Sequence, residues 1–484
     1  MLPSVLNNYI GGEWVESKSA TTREVRNPAT DQVLTQVPMS TVEEANQAVE
    51  AAHAAFQEWR ATPPITRAGY MFRLKAAIEE NFEELAALTT QENGKTLDEA
   101  RGEVRRAIEN VDVACGVPSL MMGYNAEDVS QGIDSVAVRQ PMGVFVHLAP
   151  FNFPAMVPYW FIPYALATGN TFVLKPSSQT PLTQYRLAEI MADLGLPDGV
   201  FNLINGTSDL ADALMAHPHV KGVTFVGSTP VGKHVYEYSA AHGKRAIVQG
   251  GAKNSIVVMP DANMKRTVST IMTSAFGCAG QRCLAGSVVL AVGGCEKELV
   301  PQLLEAAKRI KVGYGLDESA QMGPVVSKKA QKKVVSYIDK GVAEGAKLLL
   351  DGRGIQVPEY PNGCFVGPTI FADATPDMTI VREEIFGPVF AVISVPTLED
   401  CYPIIDASPF GNAACIFTAS GKAAREFSHR VECGNIGVNI GIAAAIAFFP
   451  FGGMRDSFFG TLHGQGQDAI NFFTDTKVVI SRWF

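Results

Sequence analysis

Apolar residues recur at helical spacing in the first quarter of the chain. One set repeats at steps of three and four residues, namely Val42, Ala45, Val49, Ala52, Phe56 and Trp59. A second set does the same, namely Met71, Leu74, Ile78, Phe82, Leu85 and Leu88. Such spacing places the apolar side chains on one face, and it predicts helices over 40–116. Pro63 and Pro64 separate the two patterns.

From residue 141 onward, short apolar runs alternate with helical patterns. The runs predict strands at 143–149, 171–175, 200–204, 222–226 and 255–259. Helix candidates between them include 180–194 and 207–216. This alternation predicts a doubly wound α/β fold, whose ligands bind beyond the carboxyl ends of the parallel strands. Another β/α series follows the glycine pair at 250–251, so we expect a domain boundary there.

Composition is typical of a globular protein of about three domains, at ~150 residues each. Apolar residues make up 47% and charged residues 18%, which argues against disorder. The net charge of −9 offers no footprint for nucleic acid. The eight cysteines include no CxxC pair, and the N-terminus shows no signal peptide. We therefore expect a cytoplasmic protein, or a mitochondrial one only if a transit peptide has been removed.

Two long runs lack charged residues and could be mistaken for membrane spans. They extend from Pro141 to Leu174 and from Gly434 to Met454. A spanning helix needs about 20 apolar residues without breaks. Four prolines interrupt the first run, and the second ends in Pro-Phe-Gly-Gly-Met. Both are predicted to be buried strand and loop segments, so no membrane partner is expected.

The segment FGCAGQRCLAG at 276–286 contains a candidate nucleophile, Cys283, directly after Arg282. Thiolate is the reactive form of cysteine, and a neighbouring cation lowers the pKa of a thiol. Cys278 competes for the same role, and both cysteines are also compatible with simple burial. Asn152, in HLAPFNFPAMVPYW at 147–160, follows a predicted strand. Its amide could donate to an oxyanion or support a turn.

A third segment, VTFVGSTPVGKH at 223–234, approaches the phosphate-binding loop of ATP-hydrolysing proteins. Gly227, Gly232 and Lys233 fit that loop, but His234 replaces its Mg²⁺-binding hydroxyl residue. The loop could still hold a phosphate through backbone amides without a metal. The HxH pair at 217–219 has no obvious third ligand, so no metal site is expected.

Seven segments in order resemble the aldehyde dehydrogenase superfamily from about residue 8 to the C-terminus. They are PFNFP (150–154), VLKPSSQTPL (173–182), FVGST (225–229), GGAKN (250–254), AGQRC (279–283), EEIFGPV (383–389) and PFGG (450–453). The resemblance implies a Rossmann-type NAD(P)-binding domain over 1–118 and 141–250, and a second α/β catalytic domain over 251–445. It also implies a small β extension over 119–140 and 467–484, through which homodimers or homotetramers form.

The resemblance also implies the roles of single residues. Cys283 would attack a small aldehyde, and Asn152 with the Cys283 backbone N–H would stabilise the oxyanion. Hydride would pass to the nicotinamide and leave a thioester. The resemblance also implies eight cofactor-binding residues, which would contact the ribose hydroxyls, the pyrophosphate or the nicotinamide side of the cofactor. They are Ala149, Phe151, Lys175, Ser178, Gly227, Ser228, Glu384 and Phe386.

Position 249 departs from the hydrolytic members of the family. A glutamate there activates the water that releases the acid, whereas this chain has Gln249. A neutral amide cannot take a proton from water at pH 7. A thiol of pKa near 8.5 needs less help than water. Gln249 therefore favours coenzyme A as the acyl acceptor, with a hydrolytic semialdehyde dehydrogenase as the alternative.

The C-terminal stretch at 448–483, with LHGQG at 462–466, resembles the methylmalonate-semialdehyde dehydrogenase subfamily. Members are CoA-acylating and convert malonate or methylmalonate semialdehyde to acetyl- or propionyl-CoA with loss of CO₂. Two arginines bind the substrate carboxylate in that subfamily, and the matching residues are Arg106 and Arg282. Arginine's planar fork suits a carboxylate.

Two further departures concern specificity. Residues 440–449 read IGIAAAIAFF, with glycine and alanine where the subfamily has prolines, in a loop expected to border the substrate entrance. Ser178 stands where NAD-preferring members often have a glutamate. A carboxylate there would bind the ribose 2′-OH and repel a 2′-phosphate, and serine removes that repulsion. NAD is the expected cofactor, and NADP is compatible with Ser178.

Overall fold

The computed structural model describes residues 3–484, in which most strands belong to two large sheets. The first sheet contains, in spatial order, Glu13–Val15, Asn8–Ile10, Phe201–Leu203, Thr171–Lys175, Val144–Leu148, Val220–Val226, Arg245–Gln249 and Phe458–Phe459. Its strands from Phe201–Leu203 to Arg245–Gln249 pair in parallel, and the flanking strands are antiparallel. The four strands predicted between 143 and 226 are confirmed as neighbours in this sheet.

Helices cover both faces of this sheet. They are Val42–Ala61, Pro64–Glu80, Phe82–Asn93, Leu97–Cys115, Val117–Leu120, Met156–Tyr159, Ile162–Thr168, Leu182–Ala192, Ser208–Ala216, Thr229–Ala241 and Gly466–Phe472. The first predicted helix is confirmed, with a capping box between Thr41 and Glu44. The second apolar pattern divides at Asn81, whose side-chain amide donates to the Ala77 carbonyl (2.8 Å) and so caps the earlier helix.

The second sheet contains Lys347–Leu350, Thr369–Ala372, Val389–Val395, Gly286–Val292, Asn254–Val258, Ala413–Phe417 and Asn435–Val438. Its helices are Met264–Phe276, Glu296–Lys308, Lys328–Ala343, Thr379–Arg382, Cys401–Asp406 and Gly421–Arg430. The strand predicted at 255–259 lies in this sheet as Asn254–Val258. The chain therefore passes between sheets directly after Gln249, near the predicted boundary, although the full division into domains stays a prediction.

A smaller antiparallel sheet combines Tyr124–Ser130 and Ile133–Pro141 with Thr474–Arg482. Its solvent face carries exposed apolar side chains, including Ile480 at 70% and Trp483 at 67% exposure. Apolar surface of this kind is typical of protein interfaces. The role of this sheet in oligomerisation stays a prediction. Two short antiparallel pairs complete the strands, namely Thr22–Arg26 with Val33–Pro38 and Phe410–Gly411 with Met454–Arg455.

The uncharged run at 141–174 forms buried strands and short helices around the first sheet. Prolines divide the run, so the backbone changes direction instead of continuing as one helix. Among residues 3–484, no helix combines the length and the apolar character that crossing a membrane requires.

Candidate active site

The predicted nucleophile follows a strained turn at the end of the helix Met264–Phe276. Cys278 and Ala279 both have φ near +50°, which is unusual for residues with a side chain. Gly280 follows with φ +69°, and a Cβ there would lie 2.1 Å from the Gly387 carbonyl oxygen. Only glycine fits such a close approach. Strain of this kind is typical of functional sites, where the surrounding structure holds it.

Two asparagines hold the backbone of Cys283. The side-chain amides of Asn254 (2.8 Å) and Asn412 (2.7 Å) both donate to the Cys283 carbonyl oxygen. Cys283 is half-buried, whereas the other seven cysteines are buried. Asn254 ends the GGAKN segment, but nothing in the sequence pointed to its contact. Asn412 belongs to none of the motifs, so sequence reasoning missed it.

Asn152 is buried close to the nucleophile loop. Its Nδ2 donates to the carbonyl of Gln281, two residues before Cys283 (3.2 Å). An amide nitrogen has two hydrogens, so one donor remains after this bond. The Asn152 carbonyl accepts a bond from the Lys95 ammonium (2.7 Å), which fixes the loop. The geometry is compatible with the predicted oxyanion role, which stays a prediction.

The Lys95 ammonium also pairs with the Glu103 carboxylate, and both side chains are fully buried. The other Glu103 oxygen accepts from the backbone N–H groups of Ala155 (2.7 Å) and Met156 (3.2 Å). This pair therefore holds the loop that carries Asn152. Sequence reasoning missed it because Glu103 fits the polar face of a helix and Lys95 lies in the turn before that helix, so the burial of both depends on tertiary packing.

A cavity of about 390 Å³ opens beside Cys283. The guanidinium-bearing residues Arg106 and Arg282 both line it. The rest of its wall is mostly apolar and includes Phe153, Met156, Trp160, Ile442, Ala445 and Phe451. The structure therefore brings the predicted nucleophile and the predicted carboxylate-binding residues into one space. It also confirms that the loop at 440–449 borders this space.

Both arginines have partners in the protein. The Arg282 side chain is 15% exposed, lies 3.4 Å from a Glu99 oxygen and donates through Nε to the Cys278 sulfur (3.2 Å). Arg106 is 37% exposed and pairs with Glu109 at 2.8 Å. Cys278 does not line the cavity, and burial raises the pKa of its thiol. Its contact with Arg282 makes it a support for the guanidinium, so Cys283 is the better nucleophile candidate.

Arg282 lowers the pKa of the Cys283 thiol, as expected, but the net shift of this pKa is upward. Burial, with a smaller contribution from the Glu384 carboxylate, raises the pKa of this thiol to about 12. Arg282 and two backbone N–H groups lower it, but burial outweighs them. The thiol is therefore protonated near neutral pH in the protein without ligands.

Gln249 ends the strand Arg245–Gln249 and is buried. Its Nε2 donates to the Phe451 carbonyl oxygen at 2.8 Å. A glutamate cannot make this bond when ionised, because a carboxylate has no hydrogen to donate. The surroundings of position 249 are thus built for an amide, in agreement with the departure seen in the sequence.

The eight predicted cofactor residues come from two places. Six lie at the carboxyl ends of parallel strands of the first sheet or just beyond them, namely Ala149, Phe151, Lys175, Ser178, Gly227 and Ser228. Glu384 and Phe386 lie on the loop before the strand Val389–Val395. The rings of Phe151 and Phe386 meet edge to face at 5.8 Å, and Ser228 and Glu384 line one cleft of about 530 Å³.

Three charged groups of the predicted cofactor side are paired incompletely within the described residues. The Lys253 ammonium is buried and makes no hydrogen bond within residues 3–484, and burial lowers its pKa to about 7. One Glu384 oxygen accepts from the Ala252 N–H (2.8 Å), and burial raises the pKa of this carboxyl. Lys175 has a long contact to the Pro176 carbonyl (3.4 Å), and burial lowers its pKa to about 8. These incompletely paired donors and acceptors fit the hydrogen-bonding groups of a dinucleotide, such as its ribose hydroxyls.

The rival ATP-hydrolysing interpretation does not fit the loop after Val220–Val226. The Lys233 ammonium pairs with Asp456 at 2.8 Å, and His234 lies 2.8 Å from an Asp212 oxygen. Both side chains are thus engaged with acidic residues. His219 of the HxH pair stacks on His53 at 3.6 Å, and no group of three or more ligating side chains within the described chain is suited to a metal ion.

A model of the aldehyde dehydrogenase family matches residues 14–479. The chain belongs to the aldehyde dehydrogenase family. It is 49% identical to malonate-semialdehyde dehydrogenase 2 of Geobacillus kaustophilus over 478 residues, which cover 99% of both chains. It is 46% identical to the malonate-semialdehyde dehydrogenase of Halalkalibacterium halodurans, over 99% of this chain and 98% of that one.

Solved structures of related enzymes have the same fold as this chain. The methylmalonate-semialdehyde dehydrogenase of Oceanimonas doudoroffii superposes with a TM-score of 0.98 and 43% identity, covering 99% of both chains. A Sinorhizobium meliloti protein assigned to the same activity, and complexed with NAD, has a TM-score of 0.98 and 40% identity over 100% of this chain and 98% of that one. The predicted family, fold class and enzyme class of this aldehyde dehydrogenase are confirmed.

Proposed function

We propose that this aldehyde dehydrogenase oxidises malonate or methylmalonate semialdehyde with NAD and transfers the acyl group to coenzyme A, with loss of CO₂. The observation that carries the proposal is the cavity shared by Cys283, Arg106 and Arg282. A semialdehyde has an aldehyde carbon and a carboxylate a few bonds apart, so it can meet the sulfur and a guanidinium together. Relatives named for these two substrates support the same class.

Cys283 acts as the nucleophile. Its thiolate sulfur attacks the aldehyde carbon and forms a thiohemiacetal, while the free Asn152 N–H and the Cys283 backbone N–H donate to the oxyanion. The bound NAD supplies the acceptor for the hydride that leaves the same carbon. Loss of this hydride leaves a thioester on the Cys283 sulfur. Since burial favours the protonated thiol, removal of its proton is part of the barrier.

The arginines hold the other end of the substrate. A carboxylate beside Arg106 and Arg282 accepts hydrogen bonds from guanidinium groups that already face the cavity. When the carbon–carbon bond to CO₂ breaks, its electron pair stays on the carbon next to the thioester carbonyl, which delocalises it. A proton then adds to that carbon, and acetyl or propionyl is the acyl group that remains.

Release of the acyl group uses coenzyme A, because position 249 carries an amide that cannot take a proton from water. Gln249 stands where hydrolytic members have the base, and its amide is bonded to the Phe451 carbonyl. The sulfur of coenzyme A attacks the thioester carbonyl, and the Cys283 sulfur leaves. A thiol reaches its nucleophilic form much more easily than water does.

Three carboxylates line the cavity, and each has other partners. Glu99 accepts from the backbone N–H groups of Thr96 (3.0 Å) and Cys278 (2.6 Å), one on each oxygen. Both oxygens of Glu103 accept bonds from the Lys95 ammonium and from backbone N–H groups. Asp98 is 90% exposed and pairs with an arginine. None of these three is a free base beside Cys283.

We also propose the cofactor site and the assembly. Lys175 and Glu384 bind ribose hydroxyls with the atoms that lack strong partners in the protein, and Gly227 and Ser228 lie at the pyrophosphate. The exposed apolar face of the small sheet supports a homodimer or homotetramer formed through that extension. Free cysteines throughout support a reducing compartment such as the cytoplasm.

The test is NADH formation from malonate semialdehyde with and without coenzyme A, with the product identified by mass. We expect turnover to depend strongly on coenzyme A and to give acetyl-CoA. Free acid formed at the same rate without coenzyme A would contradict the acylating mechanism and favour the hydrolytic alternative.

Two variants sharpen this test. Gln249→Glu adds a carboxylate at the position of the missing base, and it should increase the release of free acid without coenzyme A. Gln249→Met also loses the bond to Phe451 but adds no base, so it is the matched control. Equal release of free acid by both variants would contradict the proposal that the amide at position 249 prevents hydrolysis.

A further inference from the structure

The cavity beside Cys283 has a polar wall, which a single helix supplies. Six residues of the helix Leu97–Cys115 line the cavity, and their spacing places them on one face of that helix. They are Asp98, Glu99, Gly102, Glu103, Arg106 and Asn110. All of them except Gly102 have polar side chains. Together with Arg282, this wall therefore accounts for the carboxylate end of a semialdehyde.

The rest of the cavity wall is mostly apolar. It includes Trp160, Leu284, Ile442, Ala445 and Phe451. Malonate semialdehyde has a single CH₂ group between its aldehyde and its carboxylate, and methylmalonate semialdehyde adds one methyl group, so neither covers much of this wall. Apolar surface that a ligand covers strengthens binding, whereas apolar surface left in contact with water does not. The apolar wall therefore favours a substrate with a larger hydrocarbon group.

Gly102 leaves part of the cavity open. It lies inside the helix Leu97–Cys115, where glycine is destabilising relative to alanine because its backbone loses more freedom on folding. A Cβ at Gly102 would have no neighbour among residues 3–484 within 4 Å beyond the backbone of its own helix, and its φ is not in the left-handed region. Neither a close approach nor the backbone conformation requires glycine here. Its effect is to widen the cavity, as the small side chains of Ala444 and Ala445 also do.

The cavity is larger than the short semialdehydes require. Its volume is about 390 Å³. A protein cavity of about 150 Å³ binds benzene, which has six non-hydrogen atoms, the same number as malonate semialdehyde. More than half of the space therefore remains beside the short substrate. Ala444 is exposed, so this space continues to solvent at the loop 440–449.

We propose that the substrates of this enzyme include malonate semialdehydes whose α-carbon carries an alkyl group of about three to five carbons. This proposal rests on the proposed function, because it assumes that the aldehyde lies at Cys283 and the carboxylate at Arg106 and Arg282. The alkyl group then lies against the apolar wall, in the space that Gly102, Ala444 and Ala445 leave.

The reaction of these longer substrates balances as it does for the short ones. The aldehyde hydrogen leaves as hydride to NAD, and the carbon–carbon bond to CO₂ breaks. The α-carbon gains one proton, which equals the proton lost by the thiol of coenzyme A. A butyl substituent therefore gives hexanoyl-CoA, whose mass identifies the product.

The test compares kcat/KM for malonate semialdehyde and for its methyl, propyl and butyl derivatives, with NAD and coenzyme A at saturation. Each added CH₂ group that becomes buried should raise kcat/KM about two- to fourfold, so the butyl derivative should exceed malonate semialdehyde by at least about tenfold. A value of kcat/KM that stays level or falls from the methyl to the propyl derivative would overturn the proposal.

Variants of Gly102 assign the selectivity to the open space. Gly102→Leu should remove most of the gain for the butyl derivative and leave kcat/KM for malonate semialdehyde within about threefold. Gly102→Ala should act in the same direction with a smaller effect. Gly421→Leu is the matched control, because Gly421 is also a helical glycine whose Cβ would have no neighbour within 4 Å among the described residues, and it does not line the cavity. Equal losses of selectivity in Gly102→Leu and Gly421→Leu would overturn the role of Gly102.

Thermal melting of each variant separates misfolding from loss of selectivity, and Gly102→Ala provides the test if Gly102→Leu does not fold. The two proposals fail in different ways. Acetyl-CoA formation from malonate semialdehyde without a gain for the longer derivatives would overturn the alkyl site alone. A gain for the longer derivatives with free acid as the product would overturn the acylating reaction and support the alkyl site.

Discussion

The two sides of Cys283 differ in how completely their polar groups are paired. On the substrate side, Glu99 and Glu103 have partners for both oxygens, and the Lys95 ammonium is bonded to Glu103 and to the Asn152 carbonyl. On the cofactor side, the Lys253 ammonium has no partner in the described residues. The substrate side is thus built before any ligand arrives, whereas the cofactor side leaves bonds unmade.

This difference indicates two uses of buried charge. A buried polar atom without a partner costs about 1–3 kcal/mol, and a polar ligand that supplies the partner removes this cost. The cofactor side therefore gives up folding stability for binding. The substrate side uses the buried pair of Lys95 and Glu103 to position the loop that carries Asn152. Removal of a buried lysine should therefore lower the stability of the fold on the substrate side and weaken cofactor binding on the cofactor side.

The largest effect is expected at the residue between the two sides. Cys283→Ala should lower aldehyde-dependent NADH formation by at least about 10³-fold, because no other thiol of residues 3–484 lines the cavity. Initial rates measure this loss, and calorimetry of NAD binding shows that the cofactor side remains intact. Turnover within tenfold of the parent enzyme would reject Cys283 as the nucleophile. Cys433→Ala, at a buried cysteine, is the control.

Removing one lysine from each side tests the comparison directly. Lys95→Met leaves the Glu103 carboxylate buried without its cation, so the free energy of unfolding should fall by about 3–5 kcal/mol. Lys175→Met should change it by less than about 1 kcal/mol while weakening NAD binding, since its ammonium has one long contact. Denaturant unfolding and calorimetry measure both quantities. Similar losses of stability in both variants would break the distinction.

On the substrate side, Arg106→Met should raise KM for malonate semialdehyde by roughly 10- to 100-fold, since a charge-assisted hydrogen bond contributes about 1.5–3 kcal/mol. KM for propanal, which has no carboxylate, should not change. Arg105 is the next residue in the same helix, pairs with Glu79 and does not line the cavity, so Arg105→Met is the matched control. An equal rise in KM for both aldehydes would remove the role of Arg106 in carboxylate binding.

The smallest effect concerns the thiol itself. Because the pKa of Cys283 is raised to about 12, the thiolate fraction should rise about tenfold for each pH unit between 7 and 9. The rate of Cys283 alkylation in the ligand-free enzyme should rise in proportion, without a plateau. Mass spectrometry of the labelled peptide measures this rate. A plateau below pH 8 would show that Arg282 outweighs burial.

Much of the fold was predictable because its signals are local. Parallel strands buried on both faces are continuous apolar runs, so Thr171–Lys175 and Val144–Leu148 were found within one residue at each end. The division at Asn81 was not found, since it depends on one side-chain cap within an uninterrupted apolar pattern.

The site residues that stand in short motifs were predictable, whereas contacts between residues far apart in sequence were not. Cys283, Asn152 and Gln249 stand in recognisable segments. Asn412 contacts the Cys283 carbonyl from 129 residues away, and no local pattern records that contact. The net pKa of Cys283 was also not predictable, because Arg282 is visible in sequence while burial is not.

A ribosome that makes this chain releases Gln249 well before the residues that complete its surroundings. The strand Phe458–Phe459 pairs with Arg245–Gln249, and the Phe451 carbonyl accepts the Gln249 amide. The edge of the strand Arg245–Gln249 therefore remains unpaired while the whole second sheet is synthesised. Nascent chains stalled before residue 450 should thus expose this edge to chaperones and proteases, and the surroundings of Gln249 are complete only after residues 451–459 have been synthesised.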